Sequence, residues 1–363
     1  MFNRMKSYKV AAVPGDGIGP EVCEATIKVV QAALSPAHQI EFIDYPAGAK
    51  TYTDTGVAFP ESTMEGCRSA DAILHGASGV PGVLYPDGTE AGQDFCLKLR
   101  FALDLYANVR PIRLYDGVES PLKGKTEIDY VIVRENTEGI YSARGGGNLL
   151  RSEVATDTMV ITRNGVERIV RFAAELARQR NGAPRDGKRR VTICDKANVL
   201  RSFAFFRKVA EETLEQYPGI EVDYALVDAA TVHLIERPEH YDVIVCENLI
   251  GDIISDLGAA TVGGMGMSVS AEIGVNNGFF QASHGSAPEL AGKGIANPVA
   301  TVLSGANMLE WLGQRHADEP LTAAAGRIRQ AVEMVLRERR APTRDLGGEA
   351  STADCTGAII QAL

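Results

Sequence analysis

Two aspartates four residues apart, Asp252 and Asp256, stand in the stretch Asn248-Leu249-Ile250-Gly251-Asp252-Ile253-Ile254-Ser255-Asp256. On a helix, i and i+4 side chains lie side by side. Carboxylates held that close repel unless a positive charge stands between them. A hard divalent cation such as Mg²⁺ takes oxygen ligands and keeps positions for substrate oxygens. The alternative is a solvated helix face with acids at chance spacing. Against that, the stretch is otherwise apolar and follows the apolar run Tyr241 to Cys246. A strand end entering a helix is a common place for ligand chemistry in open α/β sheets.

Three arginines have the type for carboxylate recognition: Arg100 in Leu97-Lys98-Leu99-Arg100, Arg110 in Ala107-Asn108-Val109-Arg110-Pro111, and Arg134 in Arg134-Glu135-Asn136-Thr137-Glu138-Gly139. A planar guanidinium binds a carboxylate through paired hydrogen bonds. A surface ion pair is the alternative for each. Lys196, in Asp195-Lys196-Ala197-Asn198, is a general base if burial or nearby cations lower its pKa, or half of an Asp–Lys surface pair. Asp228 suits either the N-cap of a following helix or a third metal carboxylate. The small-residue run from His284 to Pro298 can lay backbone against a nucleotide, with a helix N-terminus behind it.

These residues need strand ends and helix starts to hold them, and the hydrophobic pattern supplies both. Strands are expected at Tyr8–Val13, Ile40–Asp44, Ala72–His75, Tyr130–Arg134, Arg190–Cys194, Glu221–Val227 and Tyr241–Cys246. Helices are expected at Glu21–Leu34, Val166–Arg178, Ser202–Tyr217, Asn297–Leu312 and Pro320–Glu338. Their alternation indicates an α/β fold with a mainly parallel sheet. Gly79–Gly92 reads as a loop, and Tyr141–Thr156 as an extended excursion or hairpin. The loop Pro14-Gly15-Asp16-Gly17-Ile18-Gly19-Pro20 is not the usual dinucleotide fingerprint, because its glycines alternate. It says only that backbone comes close to something.

With 363 residues, 45% hydrophobic and 23% charged, the chain has the length of about two domains and an ordinary globular composition. A net charge of −10 argues against nucleic-acid binding. No apolar run suits a bilayer, and the segment Met1–Lys9 lacks the apolar core of a signal peptide. The six cysteines form no CxxC pair, which fits reduced, buried thiols and a cytoplasmic protein.

Seven motifs resemble, in order across nearly the whole chain, the β-decarboxylating dehydrogenases: the isopropylmalate, isocitrate, homoisocitrate and tartrate/D-malate dehydrogenases. They are Pro14–Glu21, Ala107–Pro111, Arg134–Gly139, Asp195–Asn198, Gly251–Asp256, His284–Pro288 and Asp345–Gly348. The resemblance implies an isopropylmalate-dehydrogenase-like fold of two α/β domains. Residues 1–105 plus 263–363 would form the cofactor domain and 106–262 the metal, substrate and dimerisation domain, with the active site in the cleft between them. It implies a homodimer with shared sites. Arg100, Arg110 and Arg134 would hold the malate carboxylates. Asp252 and Asp256, with Asp228 of a partner subunit, would bind Mg²⁺ or Mn²⁺. Lys196, also from the partner, would take the proton of the 2-hydroxyl, and Tyr141 would protonate the carbon that loses CO₂. Cofactor contacts would come from His284, Gly285, Ser286, Ala287, Pro288, Glu289 and Asn297. Glu289 would accept the adenosine ribose hydroxyls and repel a 2′-phosphate, so NAD is the expected cofactor.

The chain departs from the family in two places. Relatives carry Glu before the His-Gly-Ser/Thr-Ala-Pro loop, where this chain has Gln281. Substrate choice is expected from Gln93, Cys96, Leu97 and Arg100 on one helix face. Isopropylmalate enzymes resemble Glu-x-x-Leu-Leu there, and this chain keeps only Leu97. Asp94 would disfavour a third carboxylate if it points inward. The expected substrate is a malate with a small or apolar C3 group; D-malate, tartrate and 3-isopropylmalate stay open, and isocitrate is the alternative. A non-catalytic paralogue would be expected to lose the lysine, the tyrosine or an aspartate, and all are present.

Overall fold

Val10-Ala11-Ala12-Val13 is buried on both faces because its strand, β1 (Lys6–Gly15), pairs in parallel on each side and is covered by helices. The computed structural model describes residues 6–36, 38–125, 127–143 and 146–363. After β1 come α1 (Gly19–Ala33), β2 (His38–Asp44), α2 (Ala49–Thr55), α3 (Glu61–Ser69), β3 (Ala72–Ala77) and α4 (Asp94–Ala102). The middle of the chain forms β4 (Ala107–Arg113), β5 (Asp129–Glu135), β6 (Asn148–Leu150), β7 (Val154–Thr156), α5 (Arg163–Gln179), β8 (Arg190–Asp195), α6 (Arg201–Leu214), β9 (Glu221–Leu226), α7 (Val227–Glu236), β10 (Val243–Cys246) and α8 (Asn248–Thr261). The last third adds β11 (Val269–Ile273), β12 (Gly278–Ala282), α9 (Val299–Arg315), α10 (Glu319–Arg337) and α11 (Thr352–Ala362). Among the described residues no helix is long and apolar enough to cross a membrane.

The chain divides into two units. The first comprises Met1–Leu103, Tyr115–Glu119 and Gly263–Leu363. Its strands run in the order β2-β1-β3-β12-β11, parallel except for the antiparallel β11/β12 hairpin. Val10, Leu74 and Phe280 from the sheet share a core with Val302 and Leu309 of α9 and Ile328 of α10. The second comprises Asp104–Leu114 and Ser120–Val262. There the order is β4-β5-β10-β8-β9, with only the β4/β5 pair antiparallel. The run Val243-Ile244-Val245-Cys246 is wholly apolar because β10 is central and buried on both faces.

The units do not follow the sequence boundaries throughout. Asp104 joins the second unit, where Arg168 grips its carboxylate, and Leu105 joins it through a hydrogen bond from Asn136 to its carbonyl. Tyr115 and Val118 pack on the core of the first. The excursion after Tyr141 is a hairpin, β6 against β7; its Gly145 lies outside the described residues. Sequence periodicity passes over α7 and α11, over the shorter helices α2 and α3, and over β4, β11 and β12.

Candidate active site

In the second unit, β4 and β5 set two arginines beside α8. Their register pairs Asn108 with Arg134. Glu247 caps α8, its side chain accepting from the N–H groups of Leu249 and Ile250. Ile250, Ile254 and Ser255 face inward, so Asp252 and Asp256 fall on the outer side. Gly251 permits this close approach: a Cβ there would lie 2.6 Å from Arg134 Cβ. Arg134, 1% exposed, donates to Asn248 Oδ1 from Nε (2.9 Å) and Nη2 (2.7 Å), and its Nη1 meets Asp252 Oδ1 at 2.5 Å. Arg110 donates from Nη1 to Ser255 Oγ (2.5 Å) and lies 3.5 Å from both Asp252 and Asp256. Tyr141 Oη donates to Asp252 Oδ2 at 2.9 Å, with the Arg134 guanidinium 5.6 Å from its ring centre.

Sequence reasoning names five of these residues, Arg110, Arg134, Tyr141, Asp252 and Asp256, and the fold brings all five together. It misses the hydrogen-bonding roles of Asn248 and Ser255, although both stand within the acidic stretch. Burial raises the Asp256 carboxyl above the ordinary range; Arg110 opposes that, and Asp252 adds to it. The two carboxylates are 37% and 58% exposed, open on the side away from the arginines. An all-oxygen donor pair, one member favouring a counter-charge, fits a hard divalent cation.

Lys196 and Asp228 form a separate pair, Nζ to Oδ1 2.6 Å, between the end of β8 and the start of α7. The ammonium holds the Asp228 carboxyl below its usual range. Asp228 does not cap α7: the N-cap is Leu226, without a side-chain hydrogen bond. Nor does Asp195 pair with Lys196. It is buried and taken by Arg207 through two hydrogen bonds of 2.8 and 2.7 Å. Among the described residues no three His, Cys, Asp or Glu side chains converge as a metal cluster. Asp228 therefore does not join Asp252 and Asp256 within one chain.

In the first unit, α4 carries the residues expected to read the substrate. Arg100 is not an isolated anion receptor. Its Nε and Nη2 donate to Glu272 Oε2 (2.8 Å) and Oε1 (2.7 Å), and Glu272 is fully buried on β11. Gln281 Nε2 donates to the same Glu272 Oε1 at 3.0 Å. The sequence hides Glu272 because β11 is short and its role comes from the β12 hairpin. Cys96 is buried, which pushes its thiol up to about 12, and Leu97 is half-buried. Gln93 is exposed and stands at the N-cap, outside the first turn that holds Asp94. Asp94 is buried and engaged by Tyr85 Oη (3.0 Å) and Lys98 Nζ (2.5 Å).

A cavity of about 620 Å³ opens in the same unit, within the size range of small-molecule sites. Its lining includes Ile18, Gly264, His284, Leu290, Asn297 and Asp345. The loop at Asp16–Ile18 meets the loop after β12 here: Ile18 N–H donates to the Ser286 carbonyl at 2.8 Å, and a Cβ on Gly17 would sit 1.9 Å from that oxygen. The alternating glycines thus bring backbone to backbone. Ser286 is buried and bonds the Gly79 carbonyl, so it supports the loop from below. His284 Nε2 is buried without a hydrogen-bond partner, and burial lowers the pKa of the ring. Asn297 Nδ2 donates to Asp345 Oδ2 at 2.9 Å. Ala287 and Gly285 also line the cavity, whereas Pro288 and Glu289 form an exposed turn. A neutral imidazole, exposed backbone and apolar walls fit an adenine nucleotide.

The chain matches the family model for isocitrate/isopropylmalate dehydrogenase over residues 9–360. It is 42% identical over 355 residues to the 3-isopropylmalate dehydrogenase of Corynebacterium efficiens, covering 95% of this chain and 99% of that one. It is 42% identical over 346 residues to the 3-isopropylmalate/3-methylmalate dehydrogenase of Methanocaldococcus jannaschii, covering 95% and 96%. Among solved structures, an isocitrate dehydrogenase from Methylococcus capsulatus is similar with a TM-score of 0.85 at 36% identity, covering 98% and 99%.

Proposed function

This chain belongs to the isocitrate/isopropylmalate dehydrogenase family, and on that premise we propose that it is an NAD-dependent, divalent-metal-dependent enzyme for a (2R)-malate with a small or apolar C3 substituent. The observation that carries the reading is the cluster on α8: two open carboxylates backed by two buried arginines and a tyrosine. Asp252 and Asp256 would hold Mg²⁺ or Mn²⁺, which would supply Lewis-acid polarisation of the substrate's oxygen at C2, and NAD would supply the hydride acceptor.

The chain's own residues do the rest. Arg110 and Arg134 orient the malate carboxylates by paired hydrogen bonds, with Arg100 as the third carboxylate contact. Asp228 of a second copy would complete the carboxylate set; Lys196 of that copy, parted from Asp228 and set beside the cation, would give its own proton to water and then accept the hydroxyl proton. Loss of CO₂ leaves electron density on C3, and Tyr141 Oη delivers a proton there. The second copy is supported by exposed apolar side chains that a monomer would leave in water: Leu149 and Leu150 on the hairpin, Val199 near Lys196, Val232 on α7 and Ile253 on α8. The cavity walls and His284 receive the adenine, and Glu289 meets the adenosine ribose.

For the substrate, Leu97 on α4 and the names of the curated relatives support an alkyl group at C3. Isocitrate is the second reading. Asp94 is tied to Lys98 and Tyr85, so its charge no longer argues against a third carboxylate. The test is NADH release with Mn²⁺ and 3-isopropylmalate, D-malate, tartrate or isocitrate, with product identification. Preference for isocitrate overturns the alkyl assignment, and no turnover with any of them overturns the enzyme as described. Light scattering tests the dimer; a monomeric active enzyme overturns the shared site.

A further inference from the structure

Arg100, Glu272 and Gln281 come from three elements and meet at one oxygen. Glu272 Oε1 accepts from Arg100 Nη2 at 2.7 Å and from Gln281 Nε2 at 3.0 Å, while Oε2 accepts from Arg100 Nε at 2.8 Å. In the β11/β12 register Glu272 faces Phe279, so Gln281 is its diagonal neighbour on the same face. The Gln281 main chain is held as well, since Ser304 Oγ of α9 donates to its carbonyl at 2.6 Å. Glu272 is fully buried and the Arg100 side chain is 9% exposed.

We infer that Glu272 is a positioning residue for Arg100, and that residue 281 is an amide because residue 272 already supplies the carboxylate. The inference rests on the reading of Arg100 as a substrate contact. A two-pronged carboxylate fixes the guanidinium plane, which a flexible arginine otherwise lacks. It also cancels the arginine's charge, so Arg100 offers a substrate carboxylate orientation more than net attraction. Gln281 can donate to Glu272, whereas a glutamate at 281 would set two carboxylates against each other in a dry site. The departure at Gln281 and the buried Glu272 belong to one charge arrangement.

Glu272→Gln is expected to raise KM for the hydroxy acid about tenfold or more, the scale of a lost charge-assisted hydrogen bond, with little change in kcat or in KM for NAD. Gln281→Glu alone should raise the same KM by competing for Arg100. The exchange Glu272→Gln with Gln281→Glu should recover it, because an amide at position 272 can accept from Arg100 and donate to the carboxylate at 281. If Glu272→Gln does not fold, Glu272→Asp keeps the charge with a shorter reach and should show the KM rise. A folded variant with unchanged KM, or an exchange no better than Glu272→Gln, overturns the inference. A second readout needs no turnover: the Nε–H resonance of Arg100, identified by its loss in Arg100→Lys, should be protected in the wild type, lost in Glu272→Gln and regained in the exchange. An Nε–H signal indifferent to residue 272 overturns the inference even in an active enzyme. An inactive wild type overturns the functional reading and leaves this test standing.

Discussion

Arg100 and Arg134 are both buried, and each holds a carboxylate, yet the two carboxylates live in different solvents. Glu272 is fully buried and shared between an arginine and an amide. Asp252 is 37% exposed and shares its oxygens with two arginines and a tyrosine. The first carboxylate is committed to structure, since removing one partner of a dry pair strands the other. The second is open to water on its exposed side, where a cation can approach it. The same pairing chemistry thus yields a fixed strut in one unit and an open carboxylate in the other, and exposure separates the two.

Substitutions can break this contrast at either end. The largest expected effect is Asp252→Asn, which should lower metal-dependent turnover by about 10³-fold or more, the scale of a lost metal contribution, while stability in EDTA falls less than in Glu272→Ala because the amide can still accept from Arg134; retained activity at low Mn²⁺ would refute the ligand role. Glu272→Ala should cost about 3–5 kcal/mol of stability by stranding Arg100, as read by denaturant titration. A cost near zero would mean the pair is not structural. Tyr141→Phe should slow decarboxylation about 10²-fold, the contribution of a positioned general acid, and slow hydride transfer less. Single-turnover NADH and CO₂ measurements separate the steps, and equal loss in both would remove Tyr141 from the proton path. Leu97→Ala should shift preference among C3 substituents by about 1–3 kcal/mol, in competition assays; an unchanged ranking would mean that α4 does not read the substituent.

The smallest effect concerns pH. The Asp256 carboxyl is raised by burial, so folding favours its protonated form. That contribution is present at low pH and is lost as pH rises through the folded pKa. Asp256→Asn imitates the protonated form. In EDTA at neutral pH it should match or slightly exceed wild-type stability, by at most about 0.5 kcal/mol for a half-exposed group. The difference should vanish as pH falls into the ordinary carboxylate range. A clear loss of stability at neutral pH would show that Asp256 is a strut after all.

The open carboxylate of the contrast was legible in the sequence, and the buried one was not. Asp252 and Asp256 announce themselves by i,i+4 spacing at the end of an apolar strand, information contained within one element. Arg110 and Arg134 are found through motifs that fall on β4 and the end of β5. Glu272 carries no local signal: one acid in a short strand becomes an anchor only when β11 folds against β12 and α4 brings Arg100 from far along the chain. Asp195 shows the same limit. Its neighbour in sequence is Lys196, but its partner is Arg207, beyond the first turn of α6. Gln93 stands at the N-cap of α4 with helical backbone angles, one residue before the first turn that periodicity placed it in.

The pairing of β3 with β12, at Ile73–Phe279 and Leu74–Phe280, has a consequence during synthesis. The first hundred residues leave the ribosome with one edge of β3 unmatched, and α9, which covers that sheet, is not yet made. The second unit is almost continuous in sequence and can close its core first. Until the last third arrives, the N-terminal strands present apolar faces and open backbone to the cell. The segment that waits longest for its partners is therefore the one most in need of a chaperone's protection.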